Sequence, residues 1–82
     1  MPTLFFFSSY RVAIYTMDHR PCRVHVIGTE GEAVFNLCCE GGPVEPRENF
    51  GLRRVALINI ADQLNLRIKD LCASWKAIHG NF

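Results

Sequence analysis

A chain of 82 residues that is 49% hydrophobic and 21% charged describes one small globular domain, which excludes disorder and leaves no room for a second core. Nine Lys and Arg against eight Asp and Glu give a net charge of +1, which excludes a global field drawing the chain onto nucleic acid or an anionic membrane. A core of this size is marginal and buries about 60–65% of the unfolded surface, so a small protein partner or a homodimer contact is well placed to add stability.

The opening "MPTLFFFSSY" has no basic leading segment and no small-residue cleavage site, so it reads as mature protein rather than as a secretory signal. Phe5, Phe6 and Phe7 read as an edge strand or core; a base-stacking platform would need the dense basic charge that is missing here. No apolar run approaches the roughly 20 residues that span a bilayer, so no membrane partner is expected. Tyr10, Val12 and Ile14 then alternate with Arg11, Ala13 and Tyr15 at the period of two that places them on opposite faces of a sheet. "DHRP" interrupts that pattern, because Pro21 fixes its own φ and keeps Arg20 out of the helical region.

Extended structure resumes in "CRVHVIG", with Cys22, Val24 and Val26 on one face and Arg23, His25 and Ile27 on the other. After the turn Gly28 to Gly31, "EAVFNLC" returns with Ala33, Phe35 and Leu37 apolar. A hairpin with Gly28 opposite Gly31 sets Val24 against Phe35, Val26 against Ala33 and Arg23 beside Asn36. Residues 1–39 are thus read as strands and residues 40–50, with two glycines and two prolines, as a loop. Residues 51–79 read as helical, because Leu57, Ile60, Leu64, Ile68, Leu71, Trp75 and Ile78 recur at spacings of three and four. Asn65 caps a second helix or marks a kink, and Gly80 ends the segment with His79 in its last turn. The expected architecture is a single α+β domain over residues 1–82, a small antiparallel sheet of three to four strands covered by one or two C-terminal helices.

Cys22, Cys38, Cys39 and Cys72 carry no disulfide spacing and no secretory signal, which favours reduced thiols in a cytoplasm. "DHRPCRVHV" is the stretch with the most chemistry. His19, Cys22 and His25 stand at H-x2-C-x2-H spacing, and Cys38, Cys39 or His79 would be a fourth ligand. Cys22 and His25 point to opposite faces of a regular strand, however, so no metal and no cofactor is assigned. A catalytic reading takes His25 as general base and Arg23 as the group that holds a phosphate, with Arg11 and Tyr15 on the same face if the two strands are neighbours. The plainer reading makes Asp18 and His19 turn residues and Arg23 and His25 the solvated face of a half-buried strand. Arg53, Arg54, Arg67, Lys69 and Lys76 read as solvated helix surface, since Asp62 and Asp70 interleave with them.

The pieces "MPT", "YRVAIY", "DHRPCRVHV", "GEAVFNL" and "LCASWKAIHG" resemble the small bacterial proteins grouped as the domain-of-unknown-function 4160 family, across essentially the whole chain. The most specific shared motif is D-H-x-P-x-H-V-H-V, followed by an Ala-containing strand and a C-terminal helix with a tryptophan. The resemblance implies an α+β domain, often encoded beside a second small protein in what looks like a toxin–antitoxin cassette, and it marks His19, Pro21 and His25 as motif positions. Two departures stand out. Arg23 replaces the usual histidine, and arginine serves neither as a metal ligand nor as a base. Arg53 replaces a serine at the helix start, a lost cap that shifts the boundary by as much as a turn. An anion-binding or partner-binding face built on His19, Pro21, Arg23 and His25 survives the first change better than a metal site does. The expected function is a protein-binding module of a toxin–antitoxin-like pair; the alternative is an RNA-binding or RNA-cleaving protein that uses His25 and Arg23 with Tyr15.

Overall fold

The structure is a computed structural model that describes residues 3–18 and 21–80. Among those residues five strands, β1 (Thr3–Phe7), β2 (Tyr10–Ala13), β3 (Arg23–Ile27), β4 (Glu32–Asn36) and β5 (Glu45–Phe50), lie side by side in chain order as one antiparallel sheet. Two helices follow, α1 (Arg54–Leu66) and α2 (Ile68–His79), giving the expected α+β fold with one strand more than predicted.

The period of two decides which face is covered. Val12, Ile14, Val24, Val26, Ala33, Phe35 and Leu37 are buried in one core with Ile60, Leu64, Leu71 and Trp75 of the helices. Leu57, Ile68 and Ile78 pack against its margin, so the whole predicted apolar stripe faces the sheet. The hairpin register also agrees: Arg23 pairs with Asn36, Val24 with Phe35 and Val26 with Ala33. Gly28 N–H donates to the Gly31 carbonyl at 2.9 Å. Gly31 has no room for a side chain, because a Cβ there would collide with the Phe50 carbonyl oxygen.

That contact involves the fifth strand, which lies in the stretch predicted as a loop. All six side chains of β5 are exposed, so no apolar alternation marks it in the sequence. It is held by its pairing with β4 and by Val44 and Leu52, buried on either side of it. Pro46 sits beside a register shift in that pairing, and Glu45, Arg47 and Glu48 keep the edge charged; both are usual at a strand that nothing else pairs with. Asn49 closes its far end, donating Nδ2–H to the Leu52 carbonyl at 2.9 Å and accepting the Leu52 N–H at 3.0 Å.

In the helical layer Arg53 occupies the N-cap position without a side-chain hydrogen bond, so α1 starts uncapped. The helix breaks at Arg67, whose φ of −115° and ψ of 18° end α1 and start α2, and whose guanidinium lies 4.5 Å from the centre of the Phe5 ring. Asn65, expected as a cap or at a kink, lies just before this break, and its side chain serves the preceding loop: Oδ1 accepts the Val44 N–H at 2.9 Å. Gly80 ends α2 in the left-handed region, φ 85°, and donates its N–H to the Lys76 carbonyl. No helix among the described residues is long and apolar enough to cross a membrane.

Candidate functional site

The helices cover one face of the sheet, and the other face carries the site. The chain turns just beyond β2, where Asp18 N–H donates to the Tyr15 carbonyl at 3.1 Å and brings Asp18 back over β3. There the Asp18 carboxylate meets two side chains two residues apart on the same strand face. His25 donates Nε2–H to Asp18 Oδ2 at 2.8 Å, and Arg23 Nη2 donates to Asp18 Oδ1 at 3.3 Å. The Tyr15 ring lies flat on the imidazole, with centroids 3.7 Å apart and planes 3° from parallel.

Each residue type has a definite task in this arrangement. The strand fixes the positions of Arg23 and His25, the carboxylate fixes one edge of the imidazole, and the phenol ring fixes its plane. The three charged or titratable side chains are each about 14–17% exposed, so the hydrogen bonds are partly shielded from water. A carboxylate accepts at Nε2 only from a protonated nitrogen, which makes Nδ1 the lone-pair nitrogen of the neutral ring.

Cross-strand pairing extends this face in rows. Phe6, Arg11, Ile27, Glu32 and Phe50 stand opposite one another across all five strands. Ala13, His25, Val34 and Glu48 form the next row, and Arg23, Asn36 and Glu45 a third. Phe6 and Phe50, at the two edges, are 69% and 54% exposed, and Met17 at the tip of the Tyr15–Asp18 turn is 84% exposed.

Of the residues picked from the sequence, Tyr15, Arg23 and His25 come together as the catalytic reading required. Asp18 joins them, in a role that the sequence reading missed by treating it as a turn residue. The available signal was an acid five residues before Arg23 and seven before His25, with a proline between to fold the chain back. Pro21 is exposed and lines a separate open depression with Cys22, Asn36, Cys38 and Glu45. His19 lies outside the described residues. The H-x2-C-x2-H spacing does not converge among the described residues: Cys22 is in the core and His25 is on the opposite face, and no group of three or more His, Cys, Asp and Glu is arranged for a metal ion. The His79 ring lies against Trp75, with centroids 4.0 Å apart and planes tilted by 32°. The basic helix residues Arg53, Arg54, Arg67, Lys69 and Lys76 are exposed, as read.

The expectation of four reduced cysteines is corrected. Cys39 and Cys72 are joined as a disulfide with their Cα atoms 5.9 Å apart, while Cys22 and Cys38 are free thiols. The pairing follows from α2 packing against the end of β4, a proximity that sequence spacing does not display. Burial, with Glu45 and Cys22 nearby, pushes the Cys38 thiol pKa above its ordinary value.

No curated protein and no solved structure matches the chain. One family model does, over residues 9–76, a span that holds the whole Tyr15, Asp18, Arg23 and His25 cluster. The shared sequence thus runs from just before β2 into α2, and the chain belongs to the family described as Domain of unknown function (DUF4160).

Proposed function

We propose that this chain is a protein-binding module, one member of a toxin–antitoxin-like pair, and that it engages its partner through the helix-free face of the sheet. The observation that carries the reading is the fixed Asp18, Arg23, His25 and Tyr15 cluster, flanked on that face by the exposed Phe6 and Phe50. An antiparallel sheet face with a shielded polar centre and aromatic side chains at its margins has the composition of a protein interface, where aromatics and arginine dominate the energetics. Asp18 offsets the charge of Arg23, so the surface is suited to a partner read by shape and hydrogen bonding more than by net charge. The proposed setting is cytoplasmic, where a disulfide is a reversible feature more often than a permanent staple.

The test is to clone the gene neighbouring this one, where the resemblance implies a small partner protein, co-express the two products and measure binding of the purified proteins by calorimetry. Phe6→Ser with Phe50→Ser removes two exposed rings and should weaken binding at least tenfold, while Val55→Ser on the outer surface of α1 should leave it unchanged. Equal affinity for all three proteins would sink the proposal. The second reading, RNA cleavage, rests on the Asp18 to His25 hydrogen bond, which orients an imidazole as a general base requires. It predicts turnover of a short single-stranded RNA that is lost in a folded His25→Ala variant.

A further inference from the structure

Four cysteines in 82 residues gather at one end of the sheet, and neither the open face nor the family membership accounts for them. Cys22 immediately precedes β3 and faces the core with Val24. Its carbonyl accepts the Leu37 N–H at 3.0 Å, which aligns the end of β4 beside it. The chain then passes through Cys38 at φ 52°, a left-handed conformation that a non-glycine residue rarely adopts, and Gly41 and Gly42 both donate to the Cys38 carbonyl at 3.2 Å. This tight turn holds Cys39 within reach of two other sulfurs. Cys39 is bonded to Cys72 of α2, and the Cys22 Sγ lies 3.0 Å from the Cys39 Sγ.

We propose that Cys22, Cys39 and Cys72 form an internal thiol–disulfide exchange site in which Cys39 alternates between two partners. The Cys22 thiolate attacks the Cys39 Sγ, a Cys22–Cys39 bond forms, the Cys39–Cys72 bond breaks, and the electron pair leaves on Cys72. Cys72 then takes up a proton equivalent to the one Cys22 released. The step conserves electrons and needs no external oxidant or reductant. Its consequence is structural: in one state α2 is tied covalently to the end of the sheet, and in the other the tie joins the ends of β3 and β4 and α2 has no disulfide. Cys22 adjoins Arg23 in the chain but faces the core, so the exchange lies across the sheet from the Asp18 cluster. Open depressions border both partners, one lined by Cys22 and Cys39 and another by Cys39 and Cys72, so a small thiol reagent has a way in. Cys38 is a bystander, its Sγ directed to the Asn36 carbonyl at 3.8 Å.

The test is labelling of the oxidised full chain with iodoacetamide, without reductant, in a Cys38→Ser background with Cys22 either present or changed to Ser. Trypsin separates the three sulfurs into the peptides Val12–Arg23, Val24–Arg47 and Asp70–Lys76, which mass spectrometry reads directly. Label should appear on Cys72 at least tenfold faster when Cys22 is present, together with a Val12–Arg23 peptide crosslinked to Val24–Arg47. Equal labelling of Cys72 in both proteins, or no label on Cys72 in either, would overturn the proposal. A Cys72→Ser variant, equilibrated in a glutathione redox buffer and checked for fold by circular dichroism, provides the second measurement. It should form the Cys22–Cys39 bond, and recovery of Cys22 and Cys39 only as free thiols or glutathione adducts would also overturn it.

Discussion

Asp18 holds two side chains with one carboxylate, so its removal costs more than an exposed ion pair would. Charge-assisted hydrogen bonds at partly shielded sites each contribute about 1.5–3 kcal/mol, and surface pairs about 0–1. Asp18→Ala should therefore lower the free energy of unfolding by about 1–3 kcal/mol, measured by urea denaturation, and should broaden the His25 ring signals in NMR as the imidazole loses its anchor. An unchanged urea midpoint would mean that Tyr15 alone orders the ring. At Gly31 the constraint is purely steric. Gly31→Ala forces the turn and the Phe50 carbonyl apart, an overpacking cost of about 1–3 kcal/mol that thermal unfolding would register. Cys38 gives a chemical prediction. With its pKa raised, less thiolate is present at a given pH, so alkylation of Cys38 in the folded protein should be slower than in the urea-unfolded chain and should need a higher pH to match it. The sequence placed Arg23 and His25 on one face because alternation is a local property, and it put Tyr15 with them only on condition that its strand is a neighbour. It did not reveal the Asp18 contacts, which depend on a turn that closes through space, nor the sulfur cluster, which depends on where a helix packs.

At the scale of elements, legibility followed burial. β2, β3, β4 and the helices each present an apolar periodicity, and the sequence displays all of them, even the cross-strand partners of the hairpin. β5 has six exposed side chains, and its cause lies in backbone pairing and in its buried flanks, Val44 and Leu52, so periodicity could not find it. Asn65 is the link between that edge and the helices, since it supplies the acceptor for the Val44 N–H. Asn65→Ala leaves a partly buried donor without its partner, at a cost of about 1–3 kcal/mol. Hydrogen exchange should localise the loss, with the amides of Val44 and β5 exchanging faster while those of β2 and β3 remain protected. Uniform acceleration across the sheet would instead mean that β5 and the central strands open as one unit.

For the whole molecule the margin is thin, because domains of this kind are stable by only about 5–15 kcal/mol in total. Trp75, fully buried between the helices and the sheet, is the largest side chain of the core. Trp75→Ala costs about 3–5 kcal/mol, enough to leave much of the population unfolded at 37 °C by circular dichroism. The sheet itself poses a problem of timing. Its strands are adjacent in the same order in which they are synthesised, so each hairpin closes between near neighbours and the ladder can assemble quickly. The apolar face of that ladder has no cover until α1 and α2, which follow all five strands in the sequence, have been made and have packed. During that interval the nascent chain exposes Val24, Val26, Phe35 and Leu37 together, a template for aggregation and for chaperones. A released chain that ends at Phe50 lacks both helices and should accordingly be insoluble or chaperone-bound, whereas the chain through Gly80 should be recovered in native form.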